Sequence, residues 1–93
     1  MKILIIATFY ALCFEGRTTS SGTLFKHSEM TCASLDYKIG SMLRVTNKSN
    51  LKSVIVKVSD KCRRRGIVDL SRSSFLKIGK LSQGKLNVKI EKI

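Results

Sequence analysis

Val54, Val56 and Val58 fall on alternate positions of the segment KSVIVKVSD, Lys52 to Asp60, with Ser53, Ile55, Lys57 and Ser59 between them. A helix repeats at about 3.6 residues and would scatter these valines, so the period of two predicts a half-buried antiparallel strand. The preceding stretch SMLRVTN, Ser41 to Asn47, is also two-periodic, and KSNL turns the chain between them into a hairpin. The pattern returns in GKLNVKIEKI, which sets Leu86, Val88 and Ile90 on one face and Lys85, Asn87, Lys89 and Glu91 on the other. Before this last strand lies SRSSFLKIG, a short helix capped by Ser71 and stopped by Gly79, whose stripe of Phe75, Leu76 and Ile78 is expected in the core. Strands, one short helix and a strand point to a small β-barrel with a helical insertion.

A chain of 93 residues makes one domain with a modest core, which a closed barrel or a covalent staple would support. Its 18 Lys+Arg against 6 Asp+Glu give a net charge of +12, a field that concentrates any acidic polymer or surface. On charge alone the partner could be nucleic acid, anionic lipid, an acidic glycan or the acidic face of another protein. Lys61, Arg63, Arg64 and Arg65, with Arg44 and Lys57, could contact phosphates. Nucleic acid is nonetheless disfavoured, because the aromatic residues mostly fall where the core needs them, leaving few rings on which bases could stack. There is no proline, the apolar content is 43%, and no repeat is found, so disorder is not indicated.

The first sixteen residues admit two readings. Met1 and Lys2, followed by an apolar run from Ile3 to Phe14 broken only by Thr8, resemble a secretory signal peptide. Equally, Lys2 to Tyr10 reads as a continuously apolar buried strand. The run is short for a membrane span, and no stable span is expected.

Few residues offer chemistry. His27 is the sole histidine, no Cys-x-x-Cys or His-x-x-x-His spacing occurs, and neither a metal nor another cofactor is expected. Two acids stand near the arginine run: Asp60 at the end of a strand, and Asp69 just before the helix. Neighbouring cations favour the charged form of both, which suits hydrogen-bond acceptance rather than proton donation. Each also has a purely structural alternative: Asp69 as a cap on the turn, and Asp60 in an ion pair with the arginine loop. Asn47-Lys48-Ser49 is a glycosylation sequon at the hairpin tip.

The segments ATFYALCFEGRTTSSGTLF, MTCAS, GSMLRVTN, VIVKVSDKC and GIVDLSRSSFLKIGKLSQGKLNVKIEKI together resemble the RlpA-like double-psi β-barrel family. That family includes lytic transglycosylases, and its barrel also forms the first domain of expansins and the core of barwin-like proteins. The most specific parts are V-x-V-x-D, ending at Asp60, and D-L-S-x-x-x-F-x-x-I-G, starting at Asp69. The resemblance spans Ala7 to Ile93 and implies an all-β fold: a six-stranded double-psi β-barrel with one or two short helices, a single domain over residues 1–93. It favours residues 1–16 supplying the first barrel strand, with ATFY inside it.

The family's lytic members carry a Glu in T-x-S-G-E, a His in T-A-A-H and an Asp in V-N-D-R-G-P. Those positions fall here on Thr23, Ser34 and Asp60, so only the aspartate is kept, and the resemblance leans away from an enzyme. Expansins, which do not hydrolyse, keep aspartates at the positions of Asp60 and Asp69 along an open groove. By resemblance these two and Tyr10 would bind a cell-wall polysaccharide or acidic polymer. MTCAS and SDKC are similar to segments of small secreted relatives and imply a Cys32–Cys62 disulfide. The resemblance further implies an exported monomer, with a protease-inhibiting, protein-binding role and residual transglycosylase activity as the alternatives.

Overall fold

A computed structural model describes residues 5–93 of the chain. Six strands form a closed barrel: β1 (Ile5–Phe9), β2 (Thr31–Ala33), β3 (Met42–Asn47), β4 (Ser53–Asp60), β5 (Ile67–Leu70) and β6 (Leu86–Lys92). Around the barrel they run β1-β5-β2-β4-β3-β6, and β6 closes antiparallel onto β1. Two pairs are parallel, β1 with β5 and β2 with β4, and the rest are antiparallel. The expected six-stranded barrel is therefore what forms. The apolar start supplies β1 from Ile5 onward, whereas the proposed strand residues Lys2 to Leu4 and the charged start Met1-Lys2 lie outside the described residues.

Alternation does the sorting, as the period of two requires. Leu43 and Val45 of β3, Val54, Val56 and Val58 of β4, Val68 and Leu70 of β5, and Leu86 and Val88 of β6 all point inward and are buried with Ala7 and Cys32. The helix α1 (Arg72–Ile78) packs on this core through Phe75 and Ile78. Leu76 departs from the expected stripe: it faces solvent at 56% exposure, because a seven-residue helix buries only the side turned to the barrel. Ser71 is the N-cap, its hydroxyl accepting from the Ser74 N–H. Asp69 does not cap this turn; it lies within β5.

The β3–β4 turn grips the far end of α1. Asn47 is buried, and its Nδ2 donates to the Ile78 carbonyl at 2.7 Å while its Oδ1 accepts from the Ser49 N–H at 2.9 Å. The Asn50 amide donates to the same carbonyl at 3.0 Å. These bonds satisfy a helix-end acceptor that has no partner within the helix. With its amide enclosed, the Asn47 sequon does not present a glycosylation site in the folded chain.

Candidate functional site

Strand β2 lies between β4 and β5, so Ala33 pairs with Asp60 on one side and Asp69 on the other. Strict alternation would put Asp60 on the same face as Val54, Val56 and Val58, inside the core. It does not point there. The β2–β4 register slips between Cys32, opposite Val58, and Ala33, opposite Asp60, leaving Ser59 as an extra residue. Such a bulge re-aims the side chain that follows it. Cys32 fills the core, its neighbour Ala33 faces outward, and Asp60 and Asp69 face outward with it. Thr8 of β1, opposite Asp69, completes a row across the outer wall: Asp60, Ala33, Asp69, Thr8.

The two carboxylates have different surroundings. Asp60 Oδ1 accepts from the Ser20 hydroxyl at 2.7 Å, the Ser20 N–H at 3.0 Å and the Lys61 N–H at 2.9 Å, and its Oδ2 accepts from the Tyr10 hydroxyl at 2.9 Å. Partial burial pushes its pKa up, but the donors from Ser20, Tyr10 and Lys61 outweigh that and hold it below the ordinary aspartate value. The expected ion pair with the arginine loop is absent from the ion pairs among the described residues: Arg65 reaches Asp36 instead, at 3.5 Å.

Asp69 accepts one bond, from the Thr8 hydroxyl at 3.0 Å. Every buried side-chain oxygen among the described residues has a partner, so its unbonded Oδ2 is open to solvent. Burial raises the Asp69 pKa, the Thr8 bond opposes this, and the negative charge of Asp60 adds to the rise. The expectation that nearby cations hold both acids fully ionised is thus corrected for Asp69, because burial decides its shift.

Tyr10 follows β1 and stacks on Phe25 with ring centroids 4.1 Å apart, and both pack against Ala33 beside the acids. Its hydroxyl pKa is raised far above the usual phenol value, first by burial and then by the bond to Asp60, so it stays protonated and donates to Asp60. The residues Thr19 to Thr23 fold over Asp60. Gly22, at φ 87°, returns its N–H to the Thr19 carbonyl at 2.9 Å, a backbone conformation that glycine adopts freely. The Thr23 hydroxyl is 2.8 Å from that of Ser21. Ser34 is buried, and its hydroxyl accepts from the Asp36 N–H at 3.0 Å. Neither offers a carboxyl or an imidazole to the site.

Cys32 and Cys62 are unbonded in the structure, unlike the disulfide that the resemblance implied. Cys32 points into the barrel while Cys62 packs with Tyr10, Phe25 and Ala33 against the opposite face of β2. Burial, chiefly, pushes the Cys32 thiol up to about 12, a weak nucleophile. His27 has a structural role: one ring nitrogen accepts from the Arg72 N–H at 3.3 Å and the other lies 3.1 Å from the Ala11 carbonyl. Among the described residues, no helix is long and apolar enough to cross a membrane.

Thr8 and Ser20 were missed as site residues. Thr8 had left a signal, as the lone polar residue in an apolar run. Ser20 lay inside a Ser/Thr loop with nothing to single it out.

A family model described as lytic transglycolase matches residues 6–90. The endolytic peptidoglycan transglycosylase RlpA of Neisseria meningitidis serogroup A is 42% identical over 89 residues, which are 94% of this chain and 37% of that protein. The chain therefore spans just over a third of that relative's length. Among solved structures, a mutant expansin of Clavibacter michiganensis in complex with cellohexaose superposes with a TM-score of 0.78 at 24% identity, over 100% of this chain and 50% of that one. The Streptomyces papain inhibitor gives a TM-score of 0.78 at 23% identity, over 95% of this chain and 90% of that one. Both structural likenesses are likenesses of fold.

Proposed function

This chain belongs to the RlpA-like double-psi β-barrel family, and from that premise we propose that it is an exported, monomeric module that binds a cell-envelope polysaccharide along the row of Asp60, Asp69 and Tyr10. The observation that carries this reading is the half-buried Asp69, with one oxygen held by Thr8 and the other open to a ligand hydroxyl. Asp60 has a different task. Its oxygens are taken up by Ser20, Lys61 and Tyr10, so it fixes the wall of the site and leaves Asp69 as the acceptor. The net charge of +12 supplies long-range attraction, and Asp69 the local recognition. That the Neisseria relative is named for peptidoglycan and the expansin holds cellohexaose supports a glycan as the ligand class.

The module is proposed to bind without cleaving, because Thr23 and Ser34 stand where lytic relatives carry Glu and His, and neither can transfer a proton as those groups do at neutral pH. A second reading rests on one observation: the raised pKa of Asp69 is the property a general acid needs, so residual transglycosylase activity would run through it. Retention on insoluble peptidoglycan and on cellulose tests the first reading and release of soluble sugars the second. Asp69→Asn is expected to weaken retention about tenfold, or about 1.4 kcal/mol. If that variant is retained like the parent while raised salt releases both, attraction is by charge alone and the proposal fails.

A further inference from the structure

The end of the barrel built from the β3–β4 turn and the last turn of α1 carries charge of one sign. Lys48 and Lys52 bracket the tip of the β3–β4 turn, Lys77 and Lys80 stand at the end of the helix, and all four are exposed. No acid occurs from residue 37 to 59 or from 70 to 90, and among the described residues none of these lysines takes part in an ion pair. The two segments meet. Asn50, Lys52, Leu76, Gly79, Lys80 and Gln83 line one cavity of about 420 Å³, and the Asn50 amide ties the turn to the helix at the Ile78 carbonyl. The acids of the candidate site lie elsewhere: β4 runs from Ser53, beside this turn, to Asp60, about 23 Å away at strand rise.

Leu51 stands at the tip, between Asn50 and Lys52. It is 77% exposed, and at φ 63° it is the one non-glycine residue among those described with a positive φ. That conformation crowds a leucine Cβ against its own backbone and favours glycine, so neither backbone geometry nor burial favours a leucine here. The turn nevertheless holds it in place. The Leu51 N–H donates to the Asn47 carbonyl at 2.8 Å, and the Asn47 N–H donates to the Lys52 carbonyl at 2.9 Å. Strain kept in a firmly bonded, exposed tip points to a working position. Leu76, 56% exposed on the cavity wall, adds a second apolar tip.

Charge complementarity decides what such an end fits. Its lysines call for an anionic partner, but a soluble polyanion would give the fixed leucines nothing to sink into. An anionic bilayer satisfies both, because its headgroups take the ammonium groups while the lysine stems and the leucines reach the acyl boundary. We propose that this end of the barrel docks peripherally on an anionic lipid bilayer, with Leu51 and Leu76 as wedges and Lys48, Lys52, Lys77 and Lys80 on the headgroups. Asp60 lies at the other end of β4, so docking does not depend on what the acidic row binds.

The test sediments the full chain with vesicles of phosphatidylcholine alone and with vesicles of phosphatidylcholine and phosphatidylglycerol in equal parts. Only the mixed vesicles are expected to carry the protein down. Lys52→Gln and Lys80→Gln should each weaken that partitioning about fivefold. Leu51→Gly, which relieves the backbone strain and so keeps the fold, should weaken it about tenfold. Lys38→Gln removes the same charge before β3, at the other end of that strand from the turn, and should leave partitioning close to the parent's. The chain has no tryptophan, so Leu51→Trp places a single indole at the tip. Its emission should move to the blue with mixed vesicles and stay unchanged with soluble inorganic polyphosphate. Three results overturn the proposal: no sedimentation with the mixed vesicles, a blue shift of equal size with polyphosphate, or unchanged binding of Leu51→Gly alongside equal losses for Lys38→Gln, Lys52→Gln and Lys80→Gln. The last of these would mean that net charge alone attracts the protein to the lipid.

Discussion

Asp60 and Asp69 flank one alanine, yet their environments push them in opposite directions, and stability must follow. Asp60 has its folded pKa lowered, so its contribution is present above the unfolded value and is lost as pH falls through the folded one. Asp60→Asn is expected to cost about 1–2 kcal/mol at neutral pH, discounted for partial exposure, as chemical denaturation would record. Asp69 is the reverse. Its folded pKa is raised, so its contribution is complete below the unfolded value and is lost as pH rises through the folded one. Ionised Asp69 therefore weakens the fold at neutral pH, and Asp69→Asn should melt several degrees higher than the parent at neutral pH, a gain that vanishes near about pH 3. Thermal melts at both pH values check this. A substitution that stabilises the fold while weakening the proposed binding is the trade expected of a functional carboxyl. The thiols can be ranked too: brief alkylation of the folded chain should label exposed Cys13 first and leave buried Cys32 untouched, as peptide mass mapping would reveal.

At the scale of elements, the hairpin of β3 and β4 and the helix that follows β5 depend on each other through Asn47. Asn47→Ala removes a buried amide and leaves the Ile78 carbonyl with Asn50 alone, a loss expected at about 2 kcal/mol in denaturant unfolding. The strands themselves were legible, because β-branched residues on alternate positions leave little other choice for β3, β4 and β6. The helix was legible from Ser71 and Gly79. What the sequence hid were the exceptions to the period. Nothing in Val58-Ser59-Asp60 announces a bulge, since it arises from pairing with Cys32 and Ala33, which lie far away in the chain. Leu76 was misplaced because helical spacing marks a stripe but not how wide a strip the barrel covers. The direction of the Asp69 shift was hidden for a similar reason: composition around it is basic, but Arg65 of the nearby loop reaches Asp36 and burial governs the shift.

For the molecule as a whole, closure of the barrel depends on β1, which is held by β5 on one side and β6 on the other. Removing residues 1–16 would take out this strand and leave β5 and β6 each with an unpaired edge, so the shortened chain is expected to show no cooperative thermal transition and to aggregate. The candidate site would vanish as well, because Thr8 and Tyr10 come from that end of the chain while their partners Asp69 and Asp60 lie 61 and 50 positions away. Pairings over such separations make folding slow, in the range of milliseconds to seconds. The first strand has no neighbour until β5 has been synthesised, and the barrel cannot close until β6 follows, so the sheet stays open while its strands are being made. Until that closing pair forms, the chain remains a fit passenger for any pore that admits only unfolded chains.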